Sequence, residues 1–279
     1  MLWLPLMISG AVIKPSVFIV DQGHPKASDG NPGTRARPMK TIAGAVNIMK
    51  PGDQCEIREG IYREQVCVNI GGTEDNPLIF RAAEGESVIL SGTEPLETEW
   101  KRYRGEILVS EVNSGFEQLF ANGQMMTEAR WPNAPAGEML DRSTWAYAEE
   151  GAQHGWLRDI ELAESGLDAT GAVAWLGVAH QFFSWSRRVT SHEPGESIFT
   201  YRADLDGLGR WGTIDWPVHQ GKLAPRYILM GKLEFLDQPG EWYLDEEAGK
   251  LYFWPPESME ATSFSLEAKQ RDMAFEVSG

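Results

Sequence analysis

Residues 16–53 read SVFIVDQGHPKASDGNPGTRARPMKTIAGAVNIMKPGD, and this stretch decides the fold. Its first part, over 17–20, is a β-branched and aromatic run of the kind that forms short strands. A cluster of Gly, Pro, Ser and Asn over 24–34 follows it and predicts a loop. The chain therefore begins with a strand that leads into a turn-rich connection.

A short helix is predicted next, over about 40–50. Thr41 is placed to cap its start, because a Thr side chain accepts hydrogen bonds from the first free backbone N–H groups. Pro51 and Gly52 are placed to end it, since proline cannot continue a helix and glycine tolerates the reversal. One face carries apolar side chains at the spacing i, i+3, i+4 and i+7, namely Ile42, Ala45, Val46 and Met49.

Short strands separated by turns are predicted after Gly52. They are expected over 55–58, 65–69, 78–82 and 88–90. Their starts recur about every ten to thirteen residues, a spacing typical of β-sandwiches, β-barrels and coiled β-solenoids. Spacing alone does not select among these three architectures.

The composition favours an all-β fold and excludes some partners. The 279 residues are 42% hydrophobic, enough for a packed core, and 29 Gly with 16 Pro indicate many turns. The 25 basic and 41 acidic residues give a net charge of −16, which repels nucleic-acid phosphates and anionic membranes. We expect no nucleic-acid partner, and a strongly anionic polysaccharide is disfavoured unless basic groups gather locally in a cleft.

The N-terminus and the two cysteines bear on the cellular compartment. The apolar segment over 2–13 has the length of a signal-peptide core and is too short to span a membrane. We therefore expect residues 1–15 to be a signal-like segment of a secreted or periplasmic protein without a membrane span. The alternatives are a degenerate signal or a misplaced start codon, because no positive charges precede the core. Cys55 and Cys67 are expected to be thiols on neighbouring strands of an apolar interior, with one disulfide as the alternative.

A second, β-rich module is predicted over 97–263, where tryptophans and polar connections are dense. Aromatic-rich runs at 241–244 and 250–254 predict a hairpin, with Gly249 in its turn. Over 264–279 the alternation of apolar and polar residues predicts a strand at which the chain stops. Such an exposed last strand is unusual for a complete fold.

One set of motifs points to a family. The residues DGNPGT (29–34), RPMKTI (37–42) and PGD (51–53) precede GIYRE (60–64). This pattern resembles the entry strand, capping helix and first rung of right-handed parallel β-helix proteins of the pectate-lyase-like superfamily, in particular large bacterial glycoside hydrolases. The resemblance implies an amphipathic helix that covers the open end of the solenoid. It also implies structural roles: Gly60 in a turn, Tyr62 in packing, and Arg63 with Glu64 as an exposed polar pair.

Two further stretches resemble the same larger proteins. The first is LFANGQ (119–124) with ARWPN (129–133), in which Asn-Gly is a good two-residue hairpin turn. The second is PRY (225–227) with EFLDQPGEWY (234–243). The resemblance implies a cap and first rungs over 16–96, an inserted sandwich- or barrel-like module over 97–263, and re-entry into the β-helix over 264–279. In similar proteins later rungs carry the catalytic acids, so the resemblance implies an N-terminal portion of a longer enzyme or a truncated product.

No catalytic residues are assigned, although glycoside hydrolysis needs two carboxyl groups that face one sugar bond. A lyase would need a basic side chain and often calcium, so calcium is the one cofactor left open, and only for a lyase. We expect the acidic residues that stand out in the sequence to be exposed to solvent rather than catalytic. They are the turn residues Asp245, Glu246 and Glu247, the helix-face residues Glu161, Glu164 and Asp168, and the loop residues Asp204 and Asp206.

Sugar binding is the better-supported role for the module, because indole rings pack on the apolar faces of pyranoses while polar groups bind the hydroxyls. The candidate contacts are Arg130, Trp131, His180 and Trp185, and the alternative for each is packing in the core. Trp211 and Trp216 are further candidates.

The sequence therefore predicts part of a secreted carbohydrate-active enzyme, a glycoside hydrolase acting on a plant or algal polysaccharide or its oligosaccharides. A polysaccharide lyase and a non-catalytic carbohydrate-binding or adhesion protein remain open as alternatives. The chain carries no P-loop, nucleophile elbow or His-Glu metal helix. The oligomeric state is not predicted.

Overall fold

The computed structural model describes residues 15–135, 137–149, 152, 154–178, 183–204, 225–259 and 264–278. The chain divides into two compact units, one formed by residues 1–94 with 269–279 and the other by residues 95–268. Strands dominate and helices are few, so the predicted all-β class is confirmed. No helix in the described ranges is both long and apolar enough to cross a membrane.

The elements are short. The helices are α1 (Ile42–Val46) and α2 (Ile160–Ser165), and 3-10 turns lie at Arg142–Thr144 and Leu233–Phe235. In chain order the strands are β1 (Val17–Val20), β2 (Gln54–Ile57), β3 (Gly60–Tyr62), β4 (Val66–Val68), β5 (Ile79–Ala82), β6 (Val88–Leu90), β7 (Thr93–Pro95), β8 (Lys101–Arg104), β9 (Ile107–Glu111), β10 (Leu119–Ala121), β11 (Gln124–Met125), β12 (Thr127–Glu128), β13 (Arg130–Trp131), β14 (Ala146–Tyr147), β15 (Trp156–Arg158), β16 (Val173–Val178), β17 (Phe183–Ser191), β18 (Ile198–Tyr201), β19 (Arg226–Met230), β20 (Glu241–Asp245), β21 (Lys250–Phe253), β22 (Leu266–Lys269) and β23 (Phe275–Val277).

The first unit is built from parallel strand pairs. β1, β2 and β5 form one sheet, β3 pairs with β6, and β4 pairs with β23. The strands predicted over 17–90 and the final strand are all present. Over the described chain as a whole most strand pairs are antiparallel, so the structure shows an all-β fold without showing a parallel β-helix.

Helix α1 is shorter than the predicted span of 40–50. Its start is as predicted, since the Thr41 side chain accepts from the Gly44 N–H. It ends early because the Ile48 N–H donates three residues back, to the Ala45 carbonyl at 3.1 Å, and the Lys50 N–H donates to the Asp53 carboxylate at 2.8 Å. The predicted apolar stripe is confirmed, because its members are all buried in the core of the first unit: Ile42, Ala45, Val46 and Met49.

The prediction of an exposed Arg63–Glu64 pair was wrong. The two carboxylate oxygens of Glu64 accept from the backbone N–H groups of Ile42 and Ala43, each at 2.9 Å, and so cap α1. Arg63 donates to the carbonyl and hydroxyl oxygens of Thr93, at 2.8 and 2.7 Å. The first backbone N–H groups of a helix lack partners within the helix, and here they bind the Glu64 carboxylate. The sequence pattern did not predict this contact.

The prediction for the two cysteines was half right. Both are free thiols, and Cys55 is buried in β2, where desolvation raises its pKa to about 12. Cys67 is exposed, because the neighbouring residues of β4, Val66 and Val68, point to the core and the alternation of a strand sends Cys67 outward. Their strands do not pair with each other.

The second unit packs mainly antiparallel sheets in layers. A seven-stranded sheet (order β13-β19-β16-β17-β18-β15, with β14 beside β19) and a five-stranded sheet (β12-β20-β21-β9-β8) share one apolar core, which includes Leu176, Tyr227 and Tyr252. The other face of the five-stranded sheet packs on a second core with β10 and β22. The predicted hairpins are confirmed, since β20 pairs with β21 and β10 with β11.

Candidate functional site

Arg130 lies in the interior. Its side chain is 1% exposed, and its two terminal nitrogens donate to the carbonyls of Met139 and Thr144 at 2.8 and 2.7 Å. Burial lowers the pKa of its guanidinium to about 10, and the negative charge of Glu241 opposes that shift. Arg130 therefore holds the 139–144 connection in place, and its guanidinium does not reach solvent.

Trp131 and Trp185 are half-buried and pack against the core between the two large sheets. The Trp131 ring lies 6.0 Å from that of Tyr227, and the Trp185 ring lies 6.2 Å from that of His154. The structure thus places Trp131 beside a core aromatic ring and Trp185 beside the half-buried His154. His180, Trp211 and Trp216 lie outside the described residues, and the sugar contacts predicted for all these side chains stay predictions.

Two carboxyl groups have pKa values that burial raises strongly. The pKa of Glu128 is raised to about 7, chiefly by burial and then by the charge of Glu117. Burial raises the pKa of Glu241 to about 8. In the parallel pair of β12 with β20, Thr127 is opposite Glu241 and Glu128 is opposite Trp242, so the two carboxyl groups point to opposite faces of the sheet. They do not form the facing pair that glycoside hydrolysis needs.

The acidic groups that the sequence placed in solvent are largely where they were expected. Glu246, Glu247, Glu161 and Glu164 are exposed, while Asp204 forms ion pairs with Arg187 and Arg202, and Asp206 lies outside the described residues. Across the described part of the chain, no group of three or more His, Cys, Asp or Glu side chains is arranged to hold a metal ion.

A cleft of about 590 Å³ opens on the five-stranded sheet, where β8, β9 and β21 lie side by side. We call it the tyrosine cleft. Its floor carries Tyr103, which is 47% exposed, and below it the buried Tyr252, whose ring lies 4.9 Å away edge-on and belongs to the core between the two large sheets. In the strand register Lys101 and Tyr252 both lie opposite Val109, so all three side chains share one face. The remaining lining residues are Glu97, Thr98, Glu99, Ser110, Glu111, Asn113 and Lys250.

Hydrogen bonds fix one wall of the tyrosine cleft. The Ser110 hydroxyl donates to the Glu99 carbonyl at 2.8 Å, and the Thr98 hydroxyl donates to the Glu111 carbonyl at 3.0 Å. These bonds hold the 97–99 segment against β9. The result is a preformed groove with an aromatic floor and charged sides of both signs.

This arrangement has the chemistry of a carbohydrate site. A tyrosine ring presents a flat apolar face to a pyranose, and carboxylate, ammonium and hydroxyl groups around it bind the sugar hydroxyls. The cleft was not predicted from the sequence, because the candidate sugar contacts there were mainly tryptophans. The signal was present in the residues KRY (101–103) and KLY (250–252), in which Lys and Tyr are two residues apart and so share one face of a strand.

Comparison with known proteins gives matches to parts of the chain. A family model described as the GH141 insertion domain matches residues 215–256, which include the β20–β21 hairpin. An uncharacterized protein of Bacillus subtilis, YwoF, is 38% identical over 77 residues, or 28% of this chain and 16% of that protein. Pectate lyase PEL9 of Emericella nidulans is 32% identical over 94 residues, or 33% of this chain and 22% of the lyase.

A solved glycoside hydrolase has a similar fold, with a TM-score of 0.69 and 20% sequence identity. The alignment covers 95% of this chain and 48% of the hydrolase, so the chain spans about half the length of that enzyme and far less of the two curated relatives. Taken together, the insertion-domain match, the shared fold and the pectate lyase match fit a carbohydrate-active enzyme.

Proposed function

We propose that this chain is a portion of a secreted or periplasmic glycoside hydrolase that acts on a plant or algal polysaccharide or its oligosaccharides. The observation that carries the proposal is the tyrosine cleft, an open groove with an aromatic floor in a β-rich unit. The match of residues 215–256 to a glycoside hydrolase insertion domain supports the same reading, because that segment contains Tyr252 of the cleft floor.

We further propose that the first unit forms the opening coils of a right-handed parallel β-helix, with α1 as its cap. The parallel pairs β1–β2–β5, β3–β6 and β4–β23 support this, since each coil of such a helix adds one strand to each of several parallel sheets. The module predicted over 97–263 is then an insertion into that helix.

The sugar-binding part of the proposal is tested by calorimetric titration of the chain with neutral oligosaccharides of several plant and algal types. We expect binding that Tyr103→Ala abolishes. Arg102→Ala is the matched control, because Arg102 is the next residue of β8 and points to the opposite face. Binding that survives Tyr103→Ala, or equal losses in both variants, would exclude the tyrosine cleft as the site.

A polysaccharide lyase is the second candidate, favoured by the 94-residue match to a pectate lyase. The two activities leave different products. New reducing ends without ultraviolet absorbance support the hydrolase, and unsaturated uronates that absorb in the ultraviolet support the lyase.

A non-catalytic carbohydrate-binding protein is the third candidate. It is favoured because the two carboxyl groups whose pKa values burial raises most strongly, Glu128 and Glu241, point to opposite faces of their sheet. Sugar binding without cleavage of any glycan in the panel would support it over both enzymes.

A further inference from the structure

The outer face of the seven-stranded sheet carries a buried arginine with no acidic partner. Arg226 is 7% exposed, and within the described part of the chain no ion pair joins it to a carboxylate. Its Nε atom is buried without a hydrogen-bond partner. Its guanidinium carbon lies 5.0 Å from the centre of the Trp145 ring, a cation–π contact.

In the strand register, Arg226 is one of a row of residues that lie opposite one another on neighbouring strands. Arg226 of β19 lies opposite Tyr147 of β14 on one side and Gly177 of β16 on the other, and Gly177 lies opposite Ser184 of β17. A side chain at position 177 would crowd the arginine, because a Cβ there would lie 3.1 Å from both Cγ and Nε of Arg226 and the arginine side chain would have to shift. A glycine inside a strand is otherwise unfavourable, and here it leaves room for the arginine.

The Trp145 ring that contacts the guanidinium packs in turn against a second tryptophan, and the charge of another arginine acts on the site. The Trp145 ring is 5.0 Å from that of Trp175, and Tyr147 is 40% exposed beside them. Burial lowers the pKa of Arg226, the positive charge of the exposed Arg142 lowers it further, and Tyr147 opposes the shift. The Trp145 Nε1 donor is also buried without a partner.

These features are unfavourable for the chain alone. Burial of a guanidinium without a carboxylate, next to another cation, costs stability unless an anion completes the site. Among the described residues, the charge that lowers the pKa of Arg226 is that of Arg142 and no carboxylate opposes it, although the net charge of the chain is −16. A planar carboxylate fits the fork of a guanidinium with two parallel hydrogen bonds, and the flat faces of Trp175 and Tyr147 suit a sugar ring.

We propose that Arg226, flanked by Trp145 and Tyr147, binds the carboxylate of an acidic sugar, so that this face selects uronate-containing glycans. The inference rests on the proposed carbohydrate function and adds a substrate class to it. The site is separate from the tyrosine cleft, which lies on the five-stranded sheet.

The test is a calorimetric titration of the chain with three trisaccharides. The first is the trisaccharide of galacturonic acid, the second is the same trisaccharide with its carboxyl groups reduced, and the third is a sulfated form of that neutral trisaccharide. Arg226→Met removes the guanidinium and fills its space with an apolar side chain, so we expect the melting temperature to hold or rise. Arg188→Met is the matched control, because Arg188 is an exposed arginine of β17 and its loss changes the net charge equally. Arg226→Lys keeps the charge without the fork and serves if the methionine variant fails to fold.

We expect the parent chain to bind the uronate form most tightly. Arg226→Met and Arg226→Lys should each weaken the affinity for this form about tenfold or more, which is the scale of one charge-assisted hydrogen bond. Arg188→Met should leave that affinity unchanged. Equal affinity of the Arg226 and Arg188 variants would overturn the inference, as would tighter binding of the sulfated or neutral form. Neutral sugars that bind in the tyrosine cleft with no uronate preference would overturn this inference alone. Failure of every sugar to bind would overturn the proposed function with it.

Discussion

Glu241 should make the stability of the chain depend on pH. The side chain is wholly buried in β20, where its carboxyl oxygens accept from the Asp237 N–H at 3.2 Å and from the Gln238 side-chain amide at 3.3 Å. Burial raises its pKa from 4.5 to about 8. The folded chain therefore keeps this proton over a pH range in which the unfolded chain has lost it.

Proton linkage determines whether the free energy of unfolding rises or falls with pH. Between pH 4.5 and about 8 the folded state binds one proton more than the unfolded state, so the free energy of unfolding falls as pH rises. Below and above that window the contribution of Glu241 is constant. At about 1.4 kcal/mol per pH unit, the full window costs on the order of 5 kcal/mol.

Glu241→Gln removes this titration and serves as the perturbation. The amide keeps one acceptor and loses the other, which costs about 1 kcal/mol at pH 5. At pH 8 the variant should be more stable than the parent by a few kcal/mol, because the parent then carries the buried charge. Urea unfolding followed by tryptophan fluorescence, at several pH values between 5 and 8, measures the difference.

Glu257→Gln is the control, since Glu257 is exposed and its removal should leave the slope with pH unchanged. Parallel pH profiles for the parent and Glu241→Gln would refute the reasoning. They would show that Glu241 is ionised in the folded chain and that the positive charge of Arg130 compensates it.

Three further predictions concern single contacts. Tyr227→Phe should lower the free energy of unfolding by about 1 to 3 kcal/mol, because the Tyr227 hydroxyl donates to the buried Asp159 carboxylate at 2.8 Å, and an unchanged urea midpoint would contradict this. Glu64→Ala should cost about 1 to 2 kcal/mol by freeing two N–H groups of α1, whereas a loss no larger than that of an exposed Glu74→Ala would show that the cap contributes nothing. Thiol labelling of the folded chain should modify Cys67 quickly and Cys55 only after unfolding, and fast labelling of both would disprove the burial of Cys55.

Local patterns in the sequence predicted most of the elements. The strands of the first unit could be located because their apolar runs are short and bounded by Gly, Pro and Asn. Asn122 and Gly123 predicted a two-residue hairpin turn, and the structure shows both with the positive φ values, 49° and 77°, that such a turn requires.

Contacts between distant residues could not be predicted in this way. Glu64 caps α1 from about twenty positions away along the chain. The alternation of apolar and polar residues near Glu64 does not show that backbone N–H groups bind its carboxylate. Arg130 was a candidate for sugar contact because it adjoins Trp131, yet its burial depends on Met139 and Thr144 folding over it. Such facts depend on packing rather than on local pattern.

The two candidate binding surfaces were missed for the same reason. Tyr103 and Tyr252 meet only because β9 pairs with both of their strands. Arg226, Tyr147 and Gly177 come together only in the register of three strands. The sequence predicted the all-β class and showed the abundance of aromatic residues, but only the strand register shows which aromatic residues face the same side.

The most direct test of the tyrosine cleft as a sugar-binding site is a crystal structure of the chain with the neutral oligosaccharide that binds it most tightly. We predict a pyranose ring in the tyrosine cleft, stacked at van der Waals distance, about 4 Å, on the face of Tyr103, with its hydroxyls bound by Glu and Lys side chains of the rim. A sugar bound elsewhere, with the tyrosine cleft empty, would contradict it.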